Sequence, residues 1–134
     1  MANRPIFPDT IQNAALDIEN ADGTTAQDLL TAGTNGSRIN SISATSDEPT
    51  ADIELTINYN DGTTDYIIGS VTIPALAGTD GTVPPVSILN ATDMPFLAED
   101  LSYYLAGADK ITIAAQTAVT SSQKIQLVAT YGDY

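Results

Sequence analysis

The stretch ADIELTINYN, residues 51–60, decides the fold class of this chain. Ile53, Leu55, Ile57 and Tyr59 alternate with polar residues at every second position. Successive side chains of a β-strand point to opposite faces, so this alternation predicts a strand with one face in the core and the other in water.

A turn signal and a second β run follow this strand. Residues 60–62 are Asn, Asp and Gly, which tolerate positive φ, and the next run carries Tyr66, Ile68, Val71 and Ile73. Two β runs joined by such a turn predict a hairpin.

Similar short runs recur along the chain, separated by Gly, Asn and Asp turns. With the hairpin they predict about eight short strands and little helix, a pattern typical of an all-β antiparallel sandwich of the jelly-roll kind. Only residues 25–30 and 94–100 favour helix, each as one short turn. The further strands are predicted at residues 14–18, 38–44, 83–89, 101–105, 110–115 and 124–131.

The N-terminal residues form a separate segment. Prolines flank Ile6 and Phe7, and proline at this density disfavours both a helix and a central strand. We predict an extended arm over residues 1–10 and a single β-sandwich domain over residues 11–134, a suitable length for one core. The arm is interpreted either as a frayed terminus or as a segment that lays Ile6 and Phe7 on a neighbouring subunit.

The charge of the chain excludes several classes of partner. Seventeen acidic residues face four basic ones, which gives a formal charge of −13 at pH 7. This charge repels nucleic acid and anionic membranes, and it serves either solubility or attraction to a basic partner or to cations. No apolar run is long enough to span a bilayer, and the N-terminal residues lack the apolar core of a signal peptide. We therefore expect synthesis in a cytoplasm, where the protein either stays or leaves inside an assembly.

Catalysis is disfavoured by the residue inventory. The chain has no His and no Cys, which removes the common nucleophile systems and the usual zinc sites. A pair of carboxylates can still hydrolyse glycosides, but such clefts are usually lined by aromatic residues, and this chain has no Trp, two Phe and six Tyr. We predict that the protein is not an enzyme and has no catalytic or cofactor site.

The glycine-rich and acidic loops are interpreted as turns. GTNG at residues 33–36 and GTDG at residues 78–81 lack the lysine of a phosphate-binding loop. Calcium takes oxygen ligands from acidic loops, but no twelve-residue EF-hand spacing is present. The acidic loop residues are therefore predicted to form turns rather than a metal site. They are Asp22, Asp61, Asp65 and Asp80.

Two adjacent tyrosines give a candidate contact position. Alternation along residues 101–105 places Tyr103 in the core with Leu101 and Leu105, and leaves Tyr104 outside. An exposed tyrosine either buries a large area against a partner at small entropic cost or covers a sheet edge. The predicted partner-contact residues are Arg4, Ile6, Phe7 and Tyr104.

Three strings stand out together: TAGTNGSRINSISATS (residues 31–46), IGSVTIPALAGTDGTVPPVSILN (68–90) and KIQLVATYGDY (124–134). They resemble small virion structural proteins of tailed bacteriophages, of the type that decorates or cements the capsid. The resemblance implies a sandwich or jelly-roll unit, commonly a homotrimer, that binds the major capsid protein on the outside of the head and stabilises the shell. The alternative interpretation is a tail or fibre-base component that recognises host glycan.

Overall fold

The computed structural model describes residues 7–134, and these form an all-β sandwich, as predicted. The described residues contain one short 3-10 turn, Asn20–Asp22, and no helix long and apolar enough to cross a bilayer. The strands are β1 (Thr10–Glu19), β2 (Gln27–Thr31), β3 (Ser37–Ser46), β4 (Ile53–Asn60), β5 (Asp65–Ile73), β6 (Val86–Ser87), β7 (Tyr103–Leu105), β8 (Lys110–Ala115) and β9 (Lys124–Asp133).

The strands form two antiparallel sheets with nested pairing. The front sheet has the order β1-β9-β3-β6, with β7 also paired to β3, and the back sheet has the order β2-β8-β4-β5. The first strand thus pairs with the last, β2 with β8, β3 with β6 and β7, and β4 with β5. Winding one long hairpin into two sheets gives this nesting, which is the jelly-roll topology. The predicted hairpin is its innermost pair.

One strand of the jelly roll is interrupted. β6 pairs with residues 43–44 of β3 and β7 pairs with residues 37–39, so the two short strands lie in line along one edge of β3. Residues 88–102, here called the insertion, leave the sheet between them and bring Met94 into the core with no exposed surface. A Cβ atom at Gly69 of β5 would lie 2.9 Å from Met94 Cε. The insertion therefore closes one side of the sandwich against the back sheet.

The core lies between the sheets and follows the predicted alternation. Ile53, Leu55 and Ile57 of β4 are almost fully buried, and Tyr59 is half-buried against the same cluster. The other sheet contributes the alternate residues of β9 in the same way. The largest fully buried side chains are Ile18, Ile39, Ile42, Leu55, Ile57, Ile73, Ile88, Met94, Ile111, Ile113, Ile125 and Leu127.

A buried carboxylate connects two loops at the end of the sandwich where β4 begins. Glu48 is only 1% exposed, and its carboxylate accepts hydrogen bonds from the backbone N–H and the hydroxyl of Thr120. Buried charged groups persist where hydrogen bonds satisfy them. Glu48 therefore holds the loop before β9 against the loop before β4.

The predicted helical turn at residues 25–30 is wrong. This segment forms β2, which pairs with β8, and it is the strand missing from the predicted eight. The register shifts between Asp28 and Leu30, and this bulge allows the consecutive residues Leu29 and Leu30 both to be buried. Two adjacent buried leucines break the alternation by which a strand is recognised.

Three other segments differ from expectation in detail. Residues 94–100 form turns without a helix, and the strand predicted at residues 83–89 is reduced to Val86–Ser87. Leu101 does not join the core: it precedes β7, has a φ of 63° and is 36% exposed. A side chain before the strand does not follow the strand's alternation, whereas Leu105 is buried and Tyr103 packs against the core.

Candidate interaction surface

The outward side of the front sheet is built from small and uncharged residues. On β1, β9, β3 and the β6/β7 edge, the outward positions align across the strands, with a shift of one residue in β3 at Asn40, between the first and second rows. We call the three aligned rows the front face. The rows are Ile11–Gly132–Arg38–Tyr104, Asn13–Thr130–Ser41 and Ala15–Val128–Ser43–Ser87.

No carboxylate projects from the described strands within these rows, although one residue in eight of the whole chain is acidic. Acidic side chains border the rows at both ends: Asp100 pairs with Arg38 of the first row, and beyond the third row Asp17 accepts a hydrogen bond from Gln126 at 3.1 Å. Three large side chains on or at the end of the face are exposed to solvent: Ile11 by 79%, Tyr104 by 57% and Val128 by 47%. The front face is thus uncharged over its centre and partly apolar.

Arg38 and Tyr104 form one corner of the front face. The Arg38 guanidinium lies over the Tyr104 ring, 6.0 Å from its centroid, and pairs with the carboxylate of Asp100 from the insertion. Hydrogen bonds from the hydroxyl and backbone N–H of Ser102, and then the Arg38 charge, lower the pKa of Asp100. The charge of Arg38 is therefore matched locally, and Tyr104 is held in place by a cation over its ring.

The chain before β1 turns back over the front face. The Asp9 backbone N–H donates to the Asp133 carbonyl at 2.8 Å, and Pro8 lies on Gly132, where a Cβ atom would clash with the proline ring. Phe7 is 72% exposed. Of the predicted contact residues, Phe7 and Tyr104 are thus brought to the same end of the front sheet. Arg4 and Ile6 lie outside the described residues.

The back sheet exposes carboxylates as well as apolar side chains, since Tyr66 and Ile67 of β5 are 52% and 74% exposed. Ser70 donates to Glu54 at 2.7 Å, and Thr112 donates to Asp65 at 2.8 Å. Gln116 donates to Ser70 and to a threonine of β4, so the polar groups bind one another across the strands. This face is charged, and its hydrogen bonds are made within the sheet.

The acidic loop residues are used by their own turns. Asp61 accepts hydrogen bonds from the backbone of Thr63 and Thr64, and Asp80 accepts them from Thr82 and Val83. These bonds lower the pKa of Asp61, and for Asp80, where the Thr82 hydroxyl contributes most, they lower it to about 2. Within residues 7–134 no three side chains of the metal-binding types come together. The hydrogen bonds explain Asp61 and Asp80 as turn formers, whereas Asp65 begins β5 and accepts a hydrogen bond from Thr112 of β8.

An open depression of about 500 Å³ lies at the opposite end of the front sheet from Tyr104. It brings together Glu19, Asp47 and Lys124, and Asp47 accepts a hydrogen bond from the Lys124 backbone N–H at 2.6 Å. Among the described residues, none of those that line this depression is aromatic. It therefore lacks the stacking surface that a sugar-binding cleft generally uses.

The sequence contained a signal for the front face that the pattern analysis did not use. Once β1, β3 and β9 are recognised, the positions that alternate with the buried ones are Asn13 and Ala15, Ser41 and Ser43, and Val128 and Thr130. None of these positions is acidic. Their alignment, however, depends on strand pairing that a sequence does not give.

Comparison with known proteins supports the fold. No family model matches the chain, and no curated protein matches it. A chain of the acidic stable capsid structure of Helicobacter pylori bacteriophage KHP30 superposes with a TM-score of 0.62 at 12% identity, covering 94% of this chain and 90% of that one. A chain of the cyanophage Pam1 capsid asymmetric unit matches with a TM-score of 0.49 at 17% identity, covering 100% of this chain and 92% of that one. This chain therefore shares its fold with a component of a bacteriophage capsid structure.

Proposed function

We propose that this chain is a virion structural protein of a tailed bacteriophage, which binds the major capsid protein on the outside of the head and stabilises the shell as a homotrimer. The observation that carries the proposal is the fold shared with a chain of the KHP30 capsid structure over almost the whole length of both chains. The protein works by presenting a surface to other proteins, and no bond is made or broken on it.

The residue chemistry supports this role. The sequence has no His or Cys, and the carboxylates of Asp61 and Asp80 are engaged in their own turns. A protein that reinforces a shell needs a rigid sandwich and complementary surfaces, and it needs no reactive group. Its charge of −13 favours attachment to basic patches on the shell, an attraction that salt weakens.

Binding to heads that lack the protein tests the proposal. Purified protein is mixed with such heads and sedimented, and the temperature at which the heads release DNA is measured with and without it. We expect co-sedimentation that weakens with salt, and a higher release temperature. Absence of binding at low salt together with an unchanged release temperature would contradict the proposal.

Variants of the same assay test the contact residues. Tyr104→Ala and Phe7→Ala are expected to weaken assembly on the head, because both remove exposed aromatic surface from one end of the front sheet. Tyr66→Ala is the matched control, since Tyr66 is 52% exposed and lies on the back sheet. Deletion of residues 1–6 tests the arm while keeping Pro8 and the Asp9 hydrogen bond. Equal binding by all four variants would remove these residues from the proposed contact.

A further inference from the structure

We propose that the front face is the surface through which copies of this chain contact one another. The inference deepens the proposed homotrimer and rests on the proposed function. It names the occupant of the front face as a second copy of the same chain, so that Tyr104 and Phe7 affect assembly on the head through the oligomer and not by touching the shell.

The charge distribution favours a second copy. Each chain carries a formal charge of −13, so contact through most of its surface brings carboxylates of two copies together. Like charges at an interface oppose association strongly, because they lose water as they approach. The three rows of the front face contain no carboxylate, and their one charged side chain, Arg38, is paired with Asp100. A basic partner, by contrast, gains nothing from a face without carboxylates.

The exposed side chains of the two sheets lead to the same conclusion. Ile11, Val128 and Tyr104 present apolar surface to solvent on the front sheet. The back sheet also exposes Tyr66 and Ile67, but there Glu54 and Asp65 add carboxylates that accept hydrogen bonds from neighbouring strands. Burying the front face removes apolar area from water, whereas burying the back face removes water from charged groups.

The size of the front face sets the strength of the contact. Four strands at about 4.8 Å and rows that span about 14 Å along them give a face of roughly 270 Å². Stable interfaces bury about 800 Å² on each partner, so the rows alone give a weak contact. Phe7 lies at the margin of the same face and extends its apolar area. We therefore expect an oligomer that dissociates on dilution through the micromolar range.

The test places one negative charge at the centre of the face. Val128→Asp adds a carboxylate to the middle of the third row, and Ser43→Asp adds one on the adjacent strand. The matched control is Thr31→Asp, an exposed position at the end of β2 opposite Lys110. Each variant changes the formal charge from −13 to −14, so only the position of the charge differs.

Masses are measured by light scattering and by sedimentation equilibrium over a dilution series, with circular dichroism to verify folding. The wild-type protein is expected to show a multiple of the 14.0 kDa chain mass. Val128→Asp and Ser43→Asp are expected to weaken association at least tenfold, and Thr31→Asp less than twofold. A wild-type mass of 14.0 kDa at the highest concentration, or folded front-face variants with unchanged association, would overturn the inference.

Salt separates this inference from the proposed function. Association of two acidic copies should strengthen between about 50 and 500 mM NaCl, because salt screens their repulsion. Attachment of acidic copies to basic patches on the shell should weaken over the same range. A monomer that still binds heads contradicts the front-face inference alone, and an oligomer that never binds heads contradicts the proposed function alone.

Discussion

Replacing Met94 by alanine tests whether the insertion is part of the core. Met94 is fully buried although it belongs to a segment outside the sheets, and it lies on Gly69 of the back sheet. Methionine-to-alanine changes at buried positions cost about 2 to 5 kcal/mol, through lost burial and the cavity left behind. We expect Met94→Ala to lower the free energy of unfolding by an amount in the middle of this range. That is a large share of the roughly 5 to 15 kcal/mol by which a typical domain is stable.

The glycine beneath Met94 makes the prediction sharper. A Cβ atom at Gly69 would lie 2.9 Å from Met94 Cε and 3.1 Å from Met94 Cγ, so Gly69→Ala in the wild-type protein must displace the methionine. In Met94→Ala those two atoms are gone, and the new methyl group occupies the vacated space. The double variant should therefore be more stable than the sum of the single changes predicts, by about 0.5 to 3 kcal/mol.

Urea denaturation followed by circular dichroism gives the four free energies of unfolding for this cycle. Phe96→Ala is the control within the insertion, because Phe96 is 53% exposed and its main contact is an edge-to-face arrangement with Tyr103. Phe96→Ala should lower the free energy of unfolding by about 1 kcal/mol or less. Additivity of the Met94 and Gly69 effects within about 0.5 kcal/mol would show that the two residues are not in contact and would refute the packing described for the insertion.

Three further predictions concern carboxylates and a phenol. Glu48→Ala should lower the free energy of unfolding by about 1 to 3 kcal/mol in urea melts, because it removes the buried acceptor of two hydrogen bonds from Thr120; an unchanged midpoint would contradict this. The pKa of Asp80 is lowered from 3.8 to about 2, so its contribution to stability is complete above pH 4 and is lost as the pH falls toward 2; Asp80→Asn should reduce this loss, and identical acid profiles would contradict the assignment. The hydrogen bond to Asp109 raises the pKa of Tyr59 to about 12, so this contribution is present below pH 10 and is lost as the pH rises through 12; tyrosinate absorbance should lose a component that titrates near pH 12 in Tyr59→Phe.

The parts of the fold that could be predicted are those in which one strand carries its own signal. The alternation of Ile53, Leu55 and Ile57 and the Asn-Asp-Gly turn after them gave the central hairpin, and similar runs gave the all-β class. β2 was missed because its bulge buries Leu29 and Leu30 side by side, which is also what one turn of helix does. The sequence of this segment alone cannot distinguish a bulged strand from one turn of helix.

The features that escaped prediction depend on pairing between distant segments. Nothing in residues 83–105 marks β6 and β7 as two halves of one strand, because that relation exists only along the edge of β3. The same holds for the front face, whose rows join residues from four separate stretches of sequence. Tyr104 was correctly placed outside, since that required only the alternation within β7. Its neighbours Arg38 and Asp100 required the fold.

The pairing of β1 with β9 affects how the protein folds as it is made. The two strands are in register from Thr10 opposite Asp133 to Glu19 opposite Lys124, and Asn13 receives a hydrogen bond from a residue 117 positions later. β1 leaves the ribosome first and has no partner until nearly all of the chain has been synthesised. The β4–β5 hairpin can form early, but closing the outer pair must bridge a long loop, which makes jelly rolls slow to fold. Until then the edge of the growing sheet is open, and the strong negative charge of the chain keeps unfinished copies apart.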